Sequence, residues 1–204
     1  MATECLLIDA NDPKLTEKVE ALKPTPGLCI FLDITGSTAM KSAGIKEWVS
    51  KIYNCFENSK GFLSKFQPVK SIGDALMFYV EEVDLAKRLT PLQAYDALWQ
   101  IATETGAEFP NVKIGAVWCE DVYAITFLPG SRDYYGIDID MTARIQHEAK
   151  SREVAIDARF HDRVMHSYNA IGNQEQFESV RKLRGPEELE LKGIPGKVTI
   201  YRGS

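Results

Sequence analysis

The chain has 204 residues, enough for one well-cored domain and short for two. Hydrophobic residues make up 45% and charged residues 26%, the proportions of an ordinary soluble globular protein. A net charge of −5 excludes a global field that would draw nucleic acid or an anionic membrane, so neither is expected as a partner and any phosphate site must be local.

Residues 1–26 are polar apart from Leu6-Leu7-Ile8 and end in Lys23-Pro24-Thr25-Pro26-Gly27. They read as a lead-in to a single domain over 27–204. No basic segment precedes a long apolar core, and no stretch approaches about 20 apolar residues, so neither export nor a membrane span is expected, and the protein reads as cytoplasmic. Leu28 to Ile34 is a continuous apolar run, the mark of a central buried strand. A helix follows the Gly36-Ser37-Thr38 turn. Its residues Ile45, Trp48, Val49, Ile52 and Phe56 recur at three- and four-residue steps and predict a face packed on a sheet. Strands at 69–72 and 75–80 flank Gly73-Asp74 and predict a hairpin. A second helix is expected over 91–105, then strands near 112–118 and 122–128. A loop from Pro129 to Gly136 leads to a helix at about 137–149, a short strand at 154–156, and final strands near 189–191 and 197–201. The order predicts an α+β fold with a ferredoxin-like βαββαβ core plus extra strands, its sheet covered on one side by helices.

The four cysteines, Cys5, Cys29, Cys55 and Cys119, form no CxxC pair and read as buried free thiols in a reducing compartment, not as a zinc site. His161 and His166 lie five apart, off the spacing that puts two ligands on one helix face, so surface roles are expected.

The carboxylates are more informative. Asp33 ends the first long apolar run, and Asp74 sits at the hairpin tip. In a ferredoxin-like sheet these two segments are central neighbours, so the acids can meet at one edge. A carboxylate pair without His or Cys suits a hard, oxygen-loving cation such as Mg²⁺ or Mn²⁺. Free N–H groups at the helix start beyond Gly36 favour phosphate oxygens. The set reads either as a metal–triphosphate site or as two unrelated turn aspartates.

Four stretches resolve this by resemblance: "FLDITGST" at 31–38, "VKSIGDALM" at 69–77, "DYYGIDIDMTARIQHEA" at 133–149 and "LKGIPGKVTIYR" at 191–202. In this order and spacing they resemble the catalytic domains of class III nucleotide cyclases, across roughly residues 27–202. The resemblance implies a class III cyclase fold and a site for two Mg²⁺ or Mn²⁺ ions formed by Asp33, Ile34 and Asp74. It implies phosphate binding by Thr35, Gly36, Ser37 and Thr38, with Lys192 and Lys197 as candidates for a further phosphate contact. Arg144 matches the transition-state arginine. Asp140 stands where the family has a ribose-orienting asparagine, which is a departure; it lies on one helix face with Arg144. Lys70 and Asp133 match the base-reading pair of adenylate cyclases, although taken alone they are a strand-edge lysine and a loop acid. The glycine-rich turn usual after "KIGAVW" is replaced by "CEDVYAITFLPGS", and Tyr134 and Tyr135 place two rings beside Asp133.

The resemblance further implies conversion of a nucleoside triphosphate to a 3′,5′-cyclic nucleotide and pyrophosphate. It implies a head-to-tail homodimer in which two active sites are shared between subunits. Short, free-standing cyclases of this kind resemble the pyrimidine cyclases of bacterial antiphage (Pycsar) systems. The paired tyrosines suit UTP, or CTP, whereas Lys70 with Asp133 suits ATP. An inactive nucleotide-binding module is the reading from another class. There is no Gly-Gly-Asp-Glu-Phe hairpin and no GxxxxGK loop.

Overall fold

The structure, a computed structural model, describes residues 4–63, 68–104 and 109–204. In chain order its elements are β1 (Leu6–Leu7), α1 (Leu15–Glu20), β2 (Gly27–Ile34), α2 (Ser37–Ala43), α3 (Ile45–Leu63), β3 (Lys70–Ile72), β4 (Ala75–Glu81), α4 (Glu82–Leu85) and α5 (Pro91–Thr103). Then come β5 (Val112–Cys119), β6 (Tyr123–Thr126), β7 (Tyr134–Tyr135), α6 (Ile137–Glu148), β8 (Glu153–Asp157), α7 (Ala158–Asn169), α8 (Glu178–Arg181), β9 (Leu183–Glu190) and β10 (Lys197–Gly203).

The main sheet has seven strands in the order β3-β4-β2-β5-β8-β10-β9. Its first four, β3-β4-β2-β5, are the ferredoxin-like core expected from the sequence. β2 pairs antiparallel with both β4 and β5, so it is buried on both faces and reads as an unbroken apolar run. β8 extends the sheet parallel to β5, and β10 and β9 complete it.

Alternation along the strands divides the core. Leu28, Ile30, Leu32 and Ile34 face one layer with Leu92, Leu98, Phe160 and Val164, which come from α5 and α7. Cys29 and Phe31 face the other layer with Ile139, Met141 and Ile145 of α6. The helices therefore cover both faces, not one as expected. α6 occupies the second face because Ile139, Met141 and Ile145 give it an apolar stripe of its own. Both layers are close-packed, and each fully buried large apolar side chain contributes about 1.5–3 kcal/mol.

Local chemistry explains several boundaries. Thr90 and Gln93 form a reciprocal capping box at the start of α5, with Pro91 in the first turn. The Asp157 side chain accepts from the Phe160 N–H at 3.1 Å and starts α7, which the sequence reading lacked. β9 begins at Leu183, six residues before the expected strand. The lead-in also contributes structure: β1 pairs in parallel with β6, and β7 completes this small second sheet.

The stripe of α3 is not packed as expected. Trp48 is partly buried and Ile52 lies against the core, but Ile45 and Val49 are 58% and 52% exposed. The side chains of Cys55 and Phe56 lie outside those described. Cys29 and Cys119 are buried free thiols, and Cys5 is a partly buried one. His166 is exposed, as expected, while His161 is only partly so, its ring stacked on Tyr201 at 3.6 Å. Among the described residues, no helix is long and apolar enough to cross a membrane.

Candidate active site

β2 and β4 pair as far as Leu32 and Leu76. One step further along each strand lies Asp33 on β2 and Ala75 on β4, with Asp74 next in the two-residue Gly73-Asp74 loop. The register thus brings Asp33 and Asp74 to the same edge of the sheet, as the sequence predicts. Asp33 has the same strand parity as Cys29 and Phe31, so its carboxylate faces the α6 layer. There its Oδ2 accepts from Gln146 Nε2 of α6 at 3.2 Å and lies 3.6 Å from Nζ of Lys113, its cross-strand neighbour on β5. α6 can come this close because residue 115 is glycine: a Cβ there would stand 2.5 Å from the Gln146 backbone nitrogen.

The turn after β2 carries Thr35 to Thr38. Gly36 holds φ at 75°, a left-handed conformation that glycine adopts without penalty, and so redirects the chain into α2. The Thr35 N–H donates to the Asn111 carbonyl at 2.8 Å, so that group is already satisfied. The Thr35 Oγ1 is buried without a hydrogen-bond partner among the described residues. Ser37 is buried and accepts from Trp48 Nε1 at 2.8 Å. Trp48 also lies under Lys41, whose Nζ is 4.7 Å from the ring centroid and 3.5 Å from Asp74 Oδ1. Lys41, Trp48, Lys113 and Gln146 are neighbours of the site that sequence reasoning missed. The only signal for Lys113 was its position opposite Asp33 on an adjacent strand.

Lys70 and Asp133 are 63 positions apart, yet Lys70 Nζ donates to Asp133 Oδ2 at 2.8 Å. The Tyr134 N–H donates to the other oxygen, Oδ1, at 2.8 Å and fixes the carboxylate. Tyr134 itself departs from expectation. Its ring does not crowd the Lys70–Asp133 pair; it is 4% exposed and stacks on Tyr79 with centroids 4.1 Å apart. Its hydroxyl accepts from Arg132 Nε at 2.6 Å and donates to Glu81, which Arg132 also binds. Burial, with the Glu81 charge beside it, pushes the Tyr134 phenol up. Adjacent strand residues face opposite ways, so the exposed ring is Tyr135. It packs edge-on against Phe127 at 5.6 Å, with Lys70 Nζ 5.3 Å from its centroid.

On α6 the buried residues are Asp138, Ile139, Met141, Thr142, Ile145 and Gln146, while Asp140 and Arg144 are exposed. They share the outer face as the spacing predicts, but they do not pair with each other: neither has a hydrogen bond or ion pair among the described residues. The inner acid, Asp138, anchors the helix through Arg159 at 2.7 Å and the Glu120 N–H at 2.9 Å. Lys192 and Lys197 are exposed and line a groove of about 510 Å³ at the turn that joins β9 to β10. Within one chain, then, Asp33, Asp74 and the turn form one group, Lys70 and Asp133 a second, and Asp140 and Arg144 project outward from α6.

The donors at the sheet edge fit a hard divalent cation: two carboxylates, with the Ile34 main chain between Asp33 and the turn. Among the described residues no group of three or more His, Cys, Asp or Glu side chains forms a complete cage, so phosphate oxygens or water must complete any coordination shell.

This architecture is the class III cyclase catalytic fold. Solved structures that share it include the adenylyl cyclase CyaB from P. aeruginosa, 13% identical with a TM-score of 0.68, covering 89% of this chain and 95% of that one. The guanylyl cyclase Cya2 is 14% identical with a TM-score of 0.67, covering 89% and 93%. The guanylate cyclase domain of RhGC from Catenaria anguillulae, in complex with GTP, is 17% identical with a TM-score of 0.63, covering 89% and 98%. By sequence, the chain matches no family model and no curated protein.

Proposed function

We propose that the protein is a nucleotide cyclase that converts a nucleoside triphosphate to a 3′,5′-cyclic nucleotide and pyrophosphate. The observation that carries this reading is the register of β2 and β4, which brings Asp33 and Asp74 to one edge beside the Thr35–Thr38 turn in a cyclase fold. Asp33, Asp74 and the Ile34 carbonyl would hold two Mg²⁺ or Mn²⁺ ions. Such ions, when bound, would supply a lowered pKa at the ribose 3′-hydroxyl and charge neutralisation at the triphosphate. Gly36, Ser37 and Thr38 offer main-chain N–H groups to the phosphates. The 3′-oxygen attacks the α-phosphorus in line, and the bond to the bridging oxygen of pyrophosphate breaks.

Arg144 stabilises charge on the α-phosphate, and Asp140 accepts a hydrogen bond from a ribose hydroxyl. Both point outward, so they serve the site of a second copy in a head-to-tail homodimer with two shared sites. Lys192 or Lys197 supplies a further phosphate contact. Lys70 donates to a base carbonyl and Asp133 accepts from the base.

For the base we propose UTP. Tyr134 gives this reading no support, because its ring is turned inward. Tyr135 supports it, because its ring, packed on Phe127, lies 5.3 Å from Lys70 Nζ and sets an aromatic group beside the base-reading lysine. ATP is the second reading, favoured by the Lys70–Asp133 contact itself. Cyclic UMP would act as a cytoplasmic second messenger in antiphage defence. The test is incubation with each of the four nucleoside triphosphates and Mn²⁺, with products identified by mass spectrometry. Cyclic UMP formed at least about tenfold faster than cyclic AMP supports the pyrimidine reading, on the scale of one buried mismatch. Cyclic AMP as the main product replaces it with the adenylate reading, and no cyclic product from any substrate leaves a nucleotide-binding module.

A further inference from the structure

We propose that Lys41 and Lys113 are a built-in counter-charge for Asp33 and Asp74, which they neutralise when no divalent cation is bound, and that they turn to the nucleotide's phosphates when one is. This rests on the metal-site reading above. Two carboxylates and two ammonium groups sum to zero, and the two lysines together carry the charge of one divalent cation. They come from separate elements. Lys113 stands directly across from Asp33 on β5, and Lys41 lies in α2, the helix that follows the phosphate turn. The side chains of Asp33 and Lys113 are 24% and 18% exposed, so their charges are less screened than on open surface.

These two contacts are as loose as the exposed pairs Lys182–Glu178 at 3.7 Å and Lys197–Glu188 at 3.4 Å, and unlike the arginine pairs that anchor buried acids. Arg159–Asp138 and Arg202–Glu153 are each 2.7 Å, at hydrogen-bond length. Lys113–Asp33 and Lys41–Asp74 are 3.6 and 3.5 Å, attraction between charges without a locked bond. A lysine on its flexible four-carbon stem can leave such a contact readily. The neutral partner stays: Gln146 bonds the same Asp33 oxygen at 3.2 Å, from a helix seated against Gly115. Trp48 keeps Lys41 at the turn, because its ring lies under the ammonium while its Nε1 binds Ser37. When a cation binds, both ammonium groups are repelled from it, and the triphosphate beside them is the nearest anion.

The test is isothermal titration of the full chain with Mn²⁺ alone, using Lys113→Met, Lys41→Met, the double variant and Asp33→Asn, with melting followed in EDTA and in saturating Mn²⁺. Methionine keeps the stem and removes the charge. Each lysine variant should bind Mn²⁺ about two- to fivefold tighter, the scale of a partly exposed ion pair, and the double variant about tenfold tighter. The variants should melt below the unmodified protein in EDTA, and the gap should close in Mn²⁺. In Mn²⁺, inorganic tripolyphosphate should bind them several-fold more weakly. Unchanged or weaker Mn²⁺ binding by both single variants, with binding lost in Asp33→Asn, would overturn the counter-charge role and leave the metal site standing. Mn²⁺ binding that is absent, or indifferent to Asp33→Asn, would overturn the metal site and the counter-charge role with it.

Discussion

Asp33 and Asp74 end buried strands at the sheet edge, and neither is part of the apolar core. Substituting either with Asn removes charge without changing shape. Each variant is expected to lose about a hundred- to thousandfold or more in turnover, the effect of removing a group that stabilises transition-state charge. Circular dichroism should show the fold retained. Turnover near that of the unmodified protein in either variant would contradict the metal assignment. Asp138 has the opposite character: it is buried and structural. Burial raises its carboxyl, but Arg159 and the N–H groups of Glu120 and Asp121 outweigh this and hold it below the usual carboxylate value. A lowered folded pKa contributes stability that is fully present above the unfolded value of roughly 4 and is lost as pH falls through the folded value. Asp138→Asn should therefore cost about 1–3 kcal/mol at pH 7, a cost that shrinks below about pH 4 in urea unfolding curves. A cost that does not change with pH would show that the charge is not what matters.

The placement of α6 depends on one missing side chain. A Cβ at residue 115 would fall 2.5–2.7 Å from Gln146 N, Cα and Cβ, so Gly115→Ala must push α6 off β5. Overpacking of this kind costs about 1–3 kcal/mol, and activity should fall further because Gln146 then leaves Asp33. Equal stability to denaturant would contradict the close packing. The strands and helices of the core were legible because their periodicities are strong. α7 was not, because only Phe160 and Val164 of its twelve residues are buried and its cap, Asp157, is an acid that could serve many roles. β9 was hidden for a related reason: residues 184–188 are all exposed, so no alternation marks them. Periodicity identified α3 as a helix but could not say which part of its stripe would find a partner. The two adjacent tyrosines show the same limit at the site. Strand parity puts one ring inside and one outside, and only the packing of Tyr79 and Glu81 decides that Tyr134 is the inner one. Asp33 and Asp74 could be paired from the predicted strand order, but Lys70 and Asp133 were readable as part of the same site only through the resemblance, since each alone is an ordinary edge or loop residue.

At the scale of the whole molecule, the outward face of α6 is the informative feature. Arg144 and Asp140 find no partner among the described residues, while Phe127, Leu128 and Ile137, nearby in sequence, are 59%, 65% and 45% exposed. Exposed apolar groups of this size mark surfaces that meet another surface. A second copy of the chain would cover them and receive Arg144 at its own sheet edge. The most direct measurement mixes two inactive proteins, Asp74→Ala and Arg144→Ala, and follows cyclic nucleotide production by mass spectrometry once subunit exchange has been demonstrated. A shared site predicts that activity returns, because each heterodimer carries one intact site beside one doubly defective site. Proven exchange with no return of activity would contradict a site built between two copies.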